Sequence, residues 1–281
     1  MADVNAIIPG AVTELNKYVR RLTAPNPGAM TGPGTNSYIV GERLLAVIDP
    51  GPAIESHVQK LIEATGDRLR WIICTHTHFD HSPAAAMLKQ ATGAHVLGMP
   101  HAKDDGRQDM QFKPNRGLHH GDVVDLGRYT LRAVHTPGHA SNHLCYLFEQ
   151  QKLLFTGDHI MQGSTVVISP PDGDMQAYLD SLNKLLDIDI AALAPGHGHI
   201  ISDPQAEIRR LIAHRLKREQ KVLDAFSRKN PATLEDLLPL VYDDVSPRLH
   251  PVAQRSLHAH LIKLARERRV HENGALWERA G

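Results

Sequence analysis

Cysteine is nearly absent from this chain of 281 residues. Only Cys74 and Cys145 occur, too few for a disulfide framework, and each sits in an apolar run where a small buried side chain is the default. No apolar run approaches the roughly eighteen residues a membrane helix needs, so no partnership with a membrane is expected. The start, Met1 to Val19, lacks a basic stretch followed by an apolar one, and Asp3 and Glu14 argue against an organelle transit peptide. A soluble, cytoplasmic protein is expected. Net charge is lacking too, with 31 Lys and Arg against 31 Asp and Glu, but the balance is uneven: residues 1 to 204 carry 16 against 21, and 205 to 281 carry 15 against 10. A basic tail admits an anionic partner, although a solvated helical surface accounts for the same excess. Aromatic residues make up only 5%. In the tail Phe226, Tyr242 and Trp277 are too scattered for a base-stacking platform and read as core.

Histidine is what the chain has in quantity, with 19. Thr75-His76-Thr77-His78-Phe79-Asp80-His81 packs three imidazoles and a carboxylate into six consecutive residues, the ligand types that suit zinc and its first-row neighbours. The interleaving with Thr and Asp, inside the chain, excludes a purification tag. Leu69 to Cys74 reads as a strand before it, and Ser82-Pro83 as the N-cap and first residue of a helix after it. The cluster therefore belongs to a strand-to-helix loop, where open α/β folds bind ligands.

The rest of the chain supplies the alternation of an α/β fold. Residues 25 to 36 are turn-rich loop, and Ser37–Val40 and Leu44–Ile48 form a hairpin about Gly41-Glu42-Arg43. Ile54 to Ala64 has helical spacing and His95 to Met99 reads as a strand. His101 to His120 is read as one long loop. Tyr129–Val134, Leu144–Phe148 and Leu153–Phe155 are strands, Met175–Leu186 a helix and Ile190–Leu193 extended. A boundary falls at Ser202-Asp203-Pro204, with Asp placed to cap and Pro to open a long helix. Helices from Thr233 to Tyr242 and from Val252 to Arg268 then lead to a hairpin at Asn273-Gly274, which together suggest a winged helix. The expected domains are 1–203 and 204–281.

Three further ligand candidates each follow an apolar strand beside glycine: His139 in Thr136-Pro137-Gly138-His139, Asp158 in Thr156-Gly157-Asp158, and His197 in Pro195-Gly196-His197-Gly198. Glycine lets the backbone turn sharply there and bring the side chain inward. His199 rivals His197 by position, while His101, His119, His120, His135 and His159 need only ordinary roles.

The ordered set Thr75 to His81, Thr136 to His139, Thr156 to Asp158 and Pro195 to Gly198 resembles the metallo-β-lactamase superfamily. That resemblance implies an αββα sandwich and two divalent metal ions, zinc by ligand type, with iron and manganese tolerated by the same donors. It implies that His76, His78 and His139 hold the first metal, that Asp80, His81 and His197 hold the second, and that Asp158 bridges them. Asp49 matches the family's aspartate that orients a ligand, and His143 is either such a supporting donor or a substrate contact.

With Asn26-Pro27-Gly28, Gly34-Thr35-Asn36, His214-Arg215 and the winged-helix-like tail, the chain further resembles the mitochondrial lactamase-beta-like endoribonuclease branch. The expected function is hydrolysis by a metal-bound hydroxide, with Asp80 as acceptor of the nucleophile's proton and single-stranded RNA as substrate. The alternative is a small thioester, lactone or other ester, as in glyoxalase II and lactonases. Oligomeric state stays open, with a dimer among the options.

Overall fold

A computed structural model describes residues 7–101 and 105–280. Residues 1–6, Asp3 among them, and 102–104 of the long loop lie outside the described residues. The chain divides into two compact units, one of 1–136, 142–164 and 189–204, the other of 137–141, 165–188 and 205–281.

The first unit is built on two sheets. The larger has seven strands in sequence order: β1 (Val12–Asn16), β2 (Val19–Thr23), β3 (Asn36–Gly41), β4 (Leu45–Ile48), β5 (Leu69–Ile73), β6 (His95–Gly98) and β7 (Arg116–Gly117). β1 to β4 pair antiparallel and β4 to β7 parallel. Parallel neighbours need crossovers, supplied by α1 (Glu55–Thr65) between β4 and β5 and by α2 (Ala84–Thr92) between β5 and β6. The smaller sheet holds β8 (Val123–Asp125), β9 (Thr130–His135), β10 (Leu144–Phe148), β11 (Leu153–Gly157) and β12 (Ala192–Pro195), ordered 12-11-10-9-8.

Period-two alternation sorts the larger sheet's side chains. Tyr38, Val40, Ala46, Ile48, Ile73 and Leu97 join Leu131, Leu144, Tyr146, Phe148 and Phe155 of the smaller sheet in one core between the sheets. Their neighbours Ile39, Leu45, Val47, Ile72 and Val96 form a second core with Val58 and Leu61 of α1 and Leu88 of α2. Fully burying a Leu, Ile or Phe is worth roughly 1.5–3 kcal/mol, so both faces are held strongly. The architecture is the metallo-β-lactamase α/β sandwich, followed by a helical winged-helix domain.

The second unit contains α3 (Met175–Leu186), α4 (Pro204–Ala225), α5 (Leu234–Val241), α6 (His250–Arg266) and the hairpin β13 (Val270–Asn273) and β14 (Leu276–Arg279). Pro204 is the first residue of α4, and Thr233 with Asp236 makes a capping box on α5. Phe226, Tyr242 and Trp277 pack into the core of this unit with Leu237, Leu257 and Leu261, as their spacing suggests.

Several local expectations are corrected. Ser82 does not cap α2: Pro83 occupies the cap position without a side-chain hydrogen bond, because the Ser82 hydroxyl donates to Asp109 instead, 2.9 Å away. The long loop is not structureless, since β7 pairs with β6 within it. The hairpin turns at Gly274-Ala275, with Asn273 still paired to Leu276 and positive φ at Gly274. Among the described residues no helix is long and apolar enough to cross a membrane.

Candidate metal centre

The loop leaving β5 is fixed by the opposite sheet before it carries any chemistry. The Tyr146 hydroxyl donates to the Cys74 carbonyl (2.8 Å), and the Leu144 amide donates to the Thr75 carbonyl (2.7 Å). Asn142 donates from Nδ2 to both Thr77 Oγ1 and the Met99 carbonyl, each at 2.8 Å. The His81 amide then donates back to the His78 carbonyl at 3.0 Å, and this tight turn brings Asp80 and His81 round.

Two groups of candidate ligands converge in the first unit: His76, His81 and Asp158, and Asp80, His81 and His197. Within each, one donor atom per residue lies within 4.8 Å of the others. His81 Nε2 is 3.3 Å from both Asp80 Oδ2 and Asp158 Oδ1, and His197 Nε2 is 3.2 Å from the same two oxygens. His81 Nε2 is buried and makes no hydrogen bond of acceptable geometry. Two imidazole nitrogens and two carboxylate oxygens facing one another repel unless a proton or a cation sits among them. This donor set fits a divalent cation.

The titration of the cluster follows the same logic. Burial alone would push His81 down, but Asp80, Asp158 and Asp49 outweigh it and hold its pKa well above the usual value. His197, opposed by burial and favoured by Asp158 and Asp80, is pushed up to about 10. Burial would raise Asp80 and Asp158, yet the facing imidazoles hold both carboxyls low, His81 chiefly for Asp80 and His197 chiefly for Asp158. His76 goes the other way: burial and then the charges of His81 and His78 hold it well below the ordinary value, so its imidazole is neutral at physiological pH.

Asp49, buried and in the left-handed region at φ 51°, sets the orientation. Its Oδ1 accepts from the Thr75 amide (2.7 Å), and its Oδ2 accepts from the Thr75 hydroxyl (2.8 Å) and from His81 Nδ1 (2.9 Å). Since the Thr75 hydroxyl has given its proton to Asp49, it can only accept from His76 Nδ1, 3.0 Å away. His81 directly, and His76 through Thr75, therefore keep a proton on Nδ1, so that Nε2 is the nitrogen each would offer a cation. His197 is set likewise by Nδ1 donating to the Gly34 carbonyl at 3.2 Å. His78 faces the cluster with Nδ1, 2.9 Å from His76 Nε2.

The family model of the metallo-beta-lactamase superfamily matches residues 30–197, and that of the beta-lactamase associated winged helix domain matches 233–277. The chain belongs to the metallo-beta-lactamase superfamily. A Drosophila melanogaster relative named beta-lactamase-like protein 2 homolog is 32% identical, over 93% of this chain and 92% of its own length. An Aspergillus chevalieri protein named atrochrysone carboxyl ACP thioesterase is 31% identical over 96% of this chain and 85% of its own. Among solved structures, a beta-lactamase domain protein from Burkholderia ambifaria superposes with a TM-score of 0.81 at 20% identity, covering 98% of this chain and 95% of that one. The superfamily is one of hydrolases, and its fold implies divalent metal ions at the His and Asp groups.

Measured against the superfamily pattern, six of the seven expected ligands, His76, His78, Asp80, His81, Asp158 and His197, lie together in the first unit. His139 lies on the segment Pro137–Ser141 of the second unit, where its Nδ1 donates to the Val167 carbonyl at 2.8 Å. Gly138 is required beside it, because a Cβ there would come within 2.4 Å of Tyr178 Cα. His143 is fully buried, with Nδ1 2.9 Å from Thr136 Oγ1 and its ring centroid 5.1 Å from that of His76. His199 is in neither convergent group.

Three residues that the sequence offers only as parts of motifs, with no role of their own, matter here. Thr75 relays Asp49 to His76, and Thr35 donates from Oγ1 to Asp80 Oδ2 at 3.0 Å. Asn36 donates from Nδ2 to the Pro195 and Gly198 carbonyls (3.0 and 2.9 Å), clasping the turn that carries His197. The signal available was their place inside the quoted motifs.

Proposed function

We propose that the chain is a dinuclear-metal hydrolase of thioesters or similarly activated esters, with a catalytic domain at 1–203 and a winged-helix-like domain at 204–281. His76, His78 and His139 would hold one divalent cation, Asp80, His81 and His197 the second, and Asp158 both, with zinc favoured by the donor set. Such cations, when bound, bring the pKa of water toward about 7 and stabilise a developing oxyanion. Asp49, Thr75, Thr35 and Asn36 hold the ligands in place, and His143 supports His76 from behind. The Asp80 side chain is 27% exposed, against 0% for His81 and 7% for His197, so it is the carboxylate that water reaches. This supports it as the acceptor of the nucleophile's proton, and its low pKa passes that proton on to solvent.

The observation that carries the substrate class is the thioesterase name of a relative 31% identical over 96% of this chain. Exposed Met30, Phe79 and Met110 fit it: Phe79 lies between two ligands, Met30 on the loop before Thr35, and Met110 beside Asp109, whose amide donates to the Thr77 carbonyl. Exposed apolar side chains on these loops suit an acyl group better than a polyanion.

Cleavage of single-stranded RNA is the second reading, favoured by the 15 basic against 10 acidic residues of 205–281. Seven of those cations, Arg210, Arg218, Lys221, Lys229, Lys263, Arg266 and Arg269, already lie against carboxylates. Phe226, Tyr242 and Trp277 are buried and offer no stacking face. Metal-loaded protein is to be given butanoyl thioesters and end-labelled single-stranded RNA in parallel, with His78→Ala as the control. Thioester turnover lost in the variant is expected; RNA cleavage lost in the variant, without thioester turnover, overturns this choice.

A further inference from the structure

A groove of about 750 Å³ runs along α2 and begins at Phe79, between the ligands His78 and Asp80. One wall is α2 from Pro83 to its C-cap Gly93, a rise of roughly 15 Å. The other is the segment from Asp109 to Lys113. The lining combines apolar surface from Phe79, Ala86 and Phe112 with exposed amides from Gln90 and Gln111. Lys89 on α2 and Lys113 on the facing segment supply the positive charge, and neither forms an ion pair among the described residues. The carboxylate in the groove is already engaged, Asp109 Oδ2 by the Ser82 hydroxyl and Oδ1 by the Gln111 amide.

A purely apolar acyl chain would leave those two ammonium groups and two amides without use. The lining matches instead an extended arm that carries methyl groups, amide bonds and a terminal phosphate. We propose that this groove binds the phosphopantetheine arm of the thioester substrate, with the phosphate between Lys89 and Lys113 and the thioester carried toward the metal loop past Phe79. The inference rests on the thioester reading above and assigns it a carrier. Hydrolysis then releases the acid and a thiol-terminated arm, the thioester C–S bond breaking as water supplies oxygen to the acyl carbon and a proton to sulfur.

The test compares butanoyl-phosphopantetheine with butanoyl-pantetheine, which lacks only the phosphate, on metal-loaded wild type and on the double variant Lys89→Gln/Lys113→Gln. Wild type is expected to prefer the phosphorylated ester. That preference in kcat/KM should fall about tenfold in the double variant, roughly threefold for each ammonium, and should weaken with added salt. Ala86→Trp, which fills the groove from an exposed position, is expected to raise KM for the phosphorylated ester. Butanoyl-CoA and a butanoyl-loaded acyl carrier protein separate the two sources of the arm by which has the larger kcat/KM. If both small esters turn over equally well and the lysine variant changes nothing, the groove assignment is wrong while thioester hydrolysis stands. If kcat/KM instead climbs with acyl length and falls in Ala86→Trp, the groove holds the acyl chain and the proposal is overturned. If neither thioester is hydrolysed, the underlying reading itself has failed.

Discussion

Replacing Asp49 by Asn changes one oxygen for an NH₂ group and should cost far more than its size suggests. One carboxyl oxygen can remain as acceptor for the Thr75 amide. The other becomes a donor facing the Thr75 hydroxyl and His81 Nδ1, which now both donate to it. His81 must then accept at Nδ1 and carry its proton on Nε2, the atom that faces Asp80 and Asp158 and that a metal needs as a lone pair. Loss of one such orienting partner typically costs 10- to 100-fold in metal affinity. Asp49 orients His81 directly and His76 through Thr75, so we expect the upper value, about 100-fold or roughly 2.7 kcal/mol. Thr75→Val removes only the His76 branch and should cost about tenfold. Because that branch runs through Asp49, the double variant should be little worse than Asp49→Asn, leaving a coupling energy of about 1.4 kcal/mol. Zinc affinity is to be read by competition with a chromophoric chelator, with far-UV circular dichroism to confirm folding. A folded Asp49→Asn protein within threefold of wild-type affinity, or strictly additive variants, would refute the relay.

Other expectations follow from the same geometry. His197 is raised from 6.5 to about 10, so metal-free folded protein retains a proton there that the unfolded chain releases. Its stabilising contribution is full below pH 6.5 and is lost as pH climbs to about 10, so the melting temperature of apo protein should fall across that window, while metal affinity rises because the cation displaces the proton. Gly196→Ala places a Cβ 2.9 Å from Asp158 Oδ1 and from His81 Cε1; we expect roughly 1–3 kcal/mol of destabilisation in urea and reduced metal content by elemental analysis. Asn36→Ala strips the donor from two carbonyls of the His197 turn and should cost about 2 kcal/mol in the same titration.

Much of this was legible in the sequence because ligands cluster locally: the spacing of His76, His78, Asp80 and His81 is a property of one loop. α1 and the β3–β4 hairpin were equally readable, since their apolar periodicity is uninterrupted. β1 and β2 escaped notice for a physical reason. β1 is an edge strand with largely exposed side chains, and β2 carries Arg20 and Arg21, so neither shows clean alternation, although Arg21 is buried. β7 and β8, of two and three residues, are too short to have a period at all. Ser82 misled because a hydroxyl before a helix can serve a distant acceptor as readily as its own helix. Charge counting is blind to pairing: the surplus of basic residues after 204 takes no account of the carboxylates lying against seven of them. Thr75, Thr35 and Asn36 act through contacts spanning up to 162 residues, which no local window contains.

That span has a consequence for biogenesis. Asn36 is threaded early and its partner turn, Pro195 to Gly198, is among the last pieces of the sandwich to be synthesised. A nascent chain with the first six candidate ligands already outside the ribosome still lacks the clasp that fixes His197. A site that needs His197 is therefore completed only once the sandwich has closed on itself, while the segment from 205 onward is still being made. The clasp thus ties completion of the candidate centre to the meeting of β3 with the turn that follows β12.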